Sequence, residues 1–287
     1  MLTGIFYTDR SAYAHNFSGD ESASFLAKVQ ELKVETHLLQ QNPSNKMIVA
    51  WHIDKISEFW NANDTKEMAE RNQKLSAEIP NNLSSLATEA IQTNPNAAKI
   101  KQIVDSLDSS LAEATAARID PAALNNATVK ALAIANVLDE TVEDYGIAVG
   151  AEERGHDTER DASTSSSNNK STAVVIVDSG AYQTAQGLAA AAQNMFNDLK
   201  AKTLVNLTSI AVSKIDQGLT NLKQAIDNKA SNDKIISIVE DTLQPNLMTG
   251  FNLHAAPEFS LPMLLTTPAA IAGIIIAARI SALRRNI

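Results

Sequence analysis

Cysteine is absent from all 287 residues, which removes disulfides, thiolate metal sites and cysteine nucleophiles together. Aromatic residues are only 5% of the chain, and glycine (10) and proline (8) are sparse. Sandwiches and barrels draw on aromatic, β-branched strands and glycine-rich turns. What is abundant instead, Ala, Leu, Ile, Asn and Ser, favours an all-α fold with an aliphatic core, and 44% hydrophobic content is enough to build one. Familiar catalytic signatures are missing too: there is no G-x-x-x-x-G-K-[ST], G-x-G-x-x-G, G-x-S-x-G or H-E-x-x-H, so no residue is assigned a catalytic role and the chain is not read as an enzyme. Positive charge is in short supply. Because Arg279, Arg284 and Arg285 lie at the far C-terminus, 21 basic residues face 32 acidic ones before position 257. Such a surface repels phosphate backbones, which disfavours nucleic acid and suits cations, basic partners or a cation-rich wall.

Helical periodicity is the dominant pattern. Ser18 and Glu21 have the spacing of a capping box, and Phe25, Val29, Leu32, Thr36 and Leu39 make the stripe of a first helix from about 19 to 41. After the turn Asn42-Pro43-Ser44, a second helix carries Met47, Ile48, Trp51, Ile56 and Phe59 and folds back antiparallel. A third is expected to start at Asp64 and continue through Met68, Leu75 and Ile79, with a kink at Pro80. A fourth begins at Asn94-Pro95 and a fifth at Asp120-Pro121. Residues 151–172 have no apolar period and read as a polar flexible linker. They divide a first helical bundle, 15–150, from a second, 173–245, both built of antiparallel hairpins and the second closing at Pro245. A match of Leu83, Leu86, Ala90-Ile91, Ile100, Val104 and Leu107 with Leu219, Leu222, Ala225-Ile226, Ile235, Val239 and Leu243 suggests internal duplication at an offset of 135 or 136 residues.

The two ends speak of location. Ser11-Ala12-Tyr13-Ala14 has the small-x-small spacing that signal peptidases cut, so residues 1–14 read as a signal-peptide remnant. After a loop over 246–260, residues 261–278 hold no charge over 18 positions and are followed by Arg279, Arg284 and Arg285. That is long enough for a transmembrane helix, and the arginines predict a cytoplasmic C-terminus within 261–287. Pro257-Glu258-Phe259, then an apolar span, then arginines resembles the PEF-CTERM sorting signal of archaeal surface proteins. The form usual in ammonia-oxidising archaea continues with Gly, where this chain has Ser260. His15 to Ser22, with Phe25-Leu26, is similar to the start of helical proteins with such tails. The resemblance implies an archaeosortase-type processing enzyme as partner, which cuts near the motif and transfers the protein to a surface anchor. Six sequons, at Asn16, Asn63, Asn82, Asn126, Asn169 and Asn206, agree with a glycosylated exterior.

Histidines are the remaining candidates for chemistry. His15, His37 and His52 fall in or beside the first hairpin, and folding about residue 43 brings His37 and His52 within one or two turns. Imidazoles inside a helical bundle suit copper, zinc or iron, and His15 as a mature N-terminus would chelate Cu(II) through its amine and ring. Trp51, Phe59 and Trp60 read as the packing centre of the bundle, and the acids Asp139, Glu140, Glu143 and Asp144 as a solvated face. The expectation is a surface-anchored, extracytoplasmic helical ectodomain with a structural or binding role among envelope proteins. No cofactor is expected; the alternative is a protein that binds copper or another transition metal.

Overall fold

The computed structural model describes residues 19–151, 174–203 and 209–253. All the regular elements among them are helical, and none is a strand. They are α1 (Gly19–Gln41), α2 (Lys46–Phe59), α3 (Ala62–Arg71), α4 (Gln73–Ala90), α5 (Ala97–Arg118), α6 (Pro121–Leu124) and α7 (Ala127–Ala148). After them come α8 (Ser179–Thr203), α9 (Ser209–Asp227), α10 (Asn232–Ser237), a π-helical stretch (Ile238–Leu243) and α11 (Gln244–Phe251).

Asparagine sets most of the boundaries. The side chains of Asn45, Asn61, Asn72, Asn96 and Asn126 each accept a backbone N–H of the helix that follows, the commonest way to satisfy the orphan donors of a first turn. These caps correct three expected starts. Asp64 is the third residue of α3, not its cap: Asn61 and Asp64 form a reciprocal capping box, and Asn72 then ends α3 and opens α4. The fourth helix begins behind Asn96 rather than at Pro95, and Asp120-Pro121 opens only the single turn of α6 before Asn126 starts α7. Pro245 does not close the second block: α11 continues directly from the π-helical stretch and runs past it to Phe251.

Most of the apolar core falls into two clusters. Phe25, Leu32, Leu39, Leu75, Leu86, Leu107 and Leu111 belong to one, built from α1–α5. Ile134, Leu138 and Tyr145 of α7 belong to the other, with Leu188, Phe196, Leu219, Leu243 and Leu247 of α8–α11. The change of core comes before α7. Residues 151–172, nearly all outside the described residues, fall between the first and second helices of the second unit. That unit also continues to Phe251, beyond the expected limit of 245.

Once α7 is moved, the second unit repeats the first. In α4 the buried Leu75, Ile79, Leu83, Leu86 and Ala90 match the buried Ala211, Ile215, Leu219, Leu222 and Ile226 of α9, all at an offset of 136 residues. In α1 the buried Phe25, Val29, Leu32, Glu35, Thr36 and Leu39 match the buried Ile134, Leu138, Thr141, Asp144, Tyr145 and Ala148 of α7, all at 109. At 133, the buried Trp51, His52, Lys55, Ile56 and Phe59 of α2 match the buried Thr184, Ala185, Leu188, Ala189 and Ala192 of α8, but α3 leaves this register: buried Met68 falls opposite exposed Ala201, and exposed Asn63 and Lys66 fall opposite buried Phe196 and Leu199. In α5, Ile100 and Val104 pair with Ile235 and Val239 at 135, but Leu107 and Leu111 pair with Leu243 and Leu247 at 136. The step of one falls inside the π-helical stretch, whose wider turn accommodates one extra residue without moving the apolar face. A register kept through α1, α2, α4 and α5, with one insertion at a bulge, is the pattern an internal duplication leaves.

The units meet through α1, α2, α7 and α8. Close approach there depends on glycine: a Cβ on Gly180 would lie 2.5 Å from Trp51 Cγ, and one on Gly187 2.5 Å from Val34 Cγ1. Equivalent positions face each other, as across a two-fold axis. Trp51 Nε1 donates to Thr184 Oγ1 at 3.0 Å, and these two residues are themselves 133 apart.

Candidate functional site

A polar layer lies in this joint. From α2, the Lys55 ammonium is 2.7 Å from Glu140 Oε1, 3.1 Å from Asp144 Oδ1 and 3.8 Å from Glu58 Oε2. His52 Nδ1 is 2.6 Å from Glu35 Oε2, and its Nε2 is 3.4 Å from Gln183 Oε1 of α8. Glu35, His52 and Asp144 are fully buried, and Glu31, one turn before Glu35, is 8% exposed. Among the described residues Glu35 Oε1 and Asp144 Oδ2 have no hydrogen-bond partner, and Asp144 Oδ1 has only the Lys55 ammonium. Burial, with Glu140 nearby, pushes the Glu31 carboxyl up to about 8. Burial likewise raises Asp144 to about 8, against the pull of Lys55. For the Lys55 ammonium burial acts downward, but Asp144 and Glu140 outweigh it and hold it above its ordinary value. The expected solvated face of four acids is therefore corrected: Asp139 and Glu143 are exposed, while Asp144 is core and Glu140 half-buried.

The second feature is a groove of about 420 Å³ on the first unit. Ile53, Ile56, Ser57 and Trp60 of α2 form one wall, Pro80, Leu83, Ser84 and Ala87 of α4 the other, and the start of α3 closes one end. It exists because α2 stops at Phe59. Trp60 and Asn61 are extended, and α3 rather than α2 then makes the main contact with α4. In the second unit α8 runs for 25 residues unbroken.

The histidines separate. His37 Nε2 pairs with Asp108 Oδ2 of α5 at 2.9 Å on the surface, while His52 is buried on Glu35. The two rings therefore hold different carboxylates, and His15 lies outside the described residues. Among the described residues no group of three or more His, Cys, Asp or Glu side chains is set to hold a metal ion. The aromatic trio is buried but divided: Phe59 and Trp60 pack in the first core, whereas Trp51 turns to Ala148 and Ala181. Of the sequons, Asn63 is exposed in α3 and Asn126 exposed at the cap of α7, while Asn82 is half-buried and donates to Ser106 Oγ at 3.1 Å. Asn16, Asn169 and Asn206 lie outside the described residues, as do Pro257, Glu258, Phe259, Arg279, Arg284, Arg285 and the apolar span. None of the described helices is long and apolar enough to cross a membrane.

The sequence reading missed Glu31, Glu35, Lys55 and the groove. The signal for the acids was present: Glu31 and Glu35 sit one turn apart on the apolar stripe of α1, as Glu140 and Asp144 do on α7. Comparison of the chain with family models, curated proteins and solved structures found no match to any of the three.

Proposed function

We propose that this chain is a non-catalytic binding module of the cell envelope, two related helical units presented outside a membrane and held there through the segment from Pro257 to Ile287. Its binding site is the groove between α2 and α4. The observation that carries the binding reading is the groove's origin: it is a local departure from a plan that the second unit follows with an unbroken helix, and it leaves Ile53 and Ala87 only partly covered. Departures of this kind concentrate at functional sites. The anchoring reading rests on the charge-free run 261–278, on Pro257-Glu258-Phe259 before it and on the arginines after it.

Deleting residues 257–287 in an archaeal host is expected to release the protein into the medium; retention of the truncated chain at the surface would contradict the anchor. For the groove, a photoreactive side chain at Ser84 on intact cells should capture an envelope component. Ala87→Trp, which fills the cleft, should abolish that capture. Capture that survives Ala87→Trp would place binding elsewhere.

A further inference from the structure

Duplication has left the joint between the units with twice the acids but not twice the bases. Glu31 and Glu35 of α1 are the counterparts of Glu140 and Asp144 of α7, and all four face the same layer. His52 and Lys55 of α2 have Ala185 and Leu188 as their counterparts in α8, which bring no charge. Four carboxyls thus meet one ammonium and one imidazole. Lys28 of α1 is engaged by Asp64 of α3 at 2.8 Å, Glu58 of α2 only adds negative charge, and α8 contributes the neutral Gln183.

We infer that this layer is a proton-holding joint, which fastens the two units while Glu31 and Asp144 are protonated and loosens as they ionise. A carboxylate only accepts hydrogen bonds, whereas a carboxylic acid also donates one. Among the described residues Glu35 Oε1 and Asp144 Oδ2 are buried without a hydrogen-bond donor and Asp144 Oδ1 has only the Lys55 ammonium at 3.1 Å, so a proton on Asp144 adds a donor to a layer that is short of them. Fully ionised, the layer would hold a buried excess of negative charge, which proteins avoid by retaining protons. The raised Glu31 and Asp144 agree in direction.

The sign follows from proton counting. Unfolded, these acids titrate near the ordinary 4.5 and 3.8; folded, both do so near 8. Between those values the folded state holds more protons, so the stability these two acids contribute is complete below the lower range, falls as pH rises and is lost above about 8.

The test is urea unfolding of the full-length chain in neutral detergent, followed by the fluorescence of Trp51 and Trp60, with infrared spectra of the carboxyl region. The unfolding midpoint should fall continuously from about pH 5 to about pH 8, and Glu31→Gln should remove about one proton, a tenfold change in folding constant per pH unit, from that slope. A protonated-carboxyl band should be present at neutral pH, be weaker in Glu31→Gln and vanish in strong alkali. Asp144→Asn should act in the same direction, and if it fails to fold, Glu31→Gln decides alone. A midpoint that is flat over this range, a slope unchanged in Glu31→Gln, or no protonated-carboxyl band at neutral pH would overturn the proposal.

Discussion

The two units share one course of helices and depart from it in different places. The first breaks its second helix between Trp60 and Asn61 and keeps α5 regular; the second keeps α8 whole and takes one extra residue into the π-helical stretch before α11. The first departure turns outward and opens a groove, while the second is absorbed without moving an apolar side chain off the core. Composition differs as well. Where the first unit brings large or charged side chains to the joint, Trp51, His52 and Lys55, the second brings Thr184, Ala185 and Leu188. Each copy brings two acids to the layer, but only the first brings the bases.

Substitutions at equivalent positions break this comparison most directly. Among the described residues Lys55 is the one ammonium paired with Glu140, Asp144 and Glu58, so Lys55→Met leaves buried acids uncompensated and should cost about 3–5 kcal/mol in urea unfolding. Its counterpart Leu188 lies in plain apolar packing, where Leu188→Met should cost less than about 1.5 kcal/mol. Equal costs at the two positions would mean that the joint is not polar in the way described.

The next effect concerns close approach. Gly180→Ala drives a methyl group into the ring and Cβ of Trp51, at 2.5 and 2.6 Å, and should cost about 1–3 kcal/mol. The counterpart of Gly180 is Met47, which is 81% exposed, and Met47→Ala should change stability by less than about 0.5 kcal/mol. A neutral Gly180→Ala would show that α8 stands further from α2 than the geometry gives.

How much of this was legible in the sequence varied with the kind of signal. The all-helical class, the bounds of α1 and the core positions of α4 and α9 follow from a 3.6-residue period that burial enforces. The boundaries set by Asn61, Asn72, Asn96 and Asn126 were harder to see, because asparagine is common here and only some copies cap. The polar run 151–172 looked like a border between bundles, although its length says nothing about which core α7 joins; the register of Glu35 with Asp144 and Thr36 with Tyr145 does. Acids at Glu140 and Asp144 looked solvated because a carboxylate is usually outside. Their burial depends on Lys55, 85 and 89 residues away, a pairing that no local pattern carries.

The smallest effect is the sharpest test of the broken helix. Asn61 and Asn194 both lie beyond the stretch in which α2 and α8 match, but Asn61 caps α3 in a reciprocal box with Asp64, while Asn194 is exposed in the middle of α8. Asn61→Ala removes the cap and should destabilise by about 1 kcal/mol. Asn194→Ala replaces a poor helix former with the best one on an exposed face and should stabilise by about 0.5 kcal/mol. The same substitution then has opposite signs in the two units, because an asparagine side chain favours a helix only where backbone N–H groups lack partners. If both variants were stabilised, α2 and α3 would be one helix in solution. The α3 N–H groups would already be bonded within that helix, and the groove between α2 and α4 would lose the break that opens it.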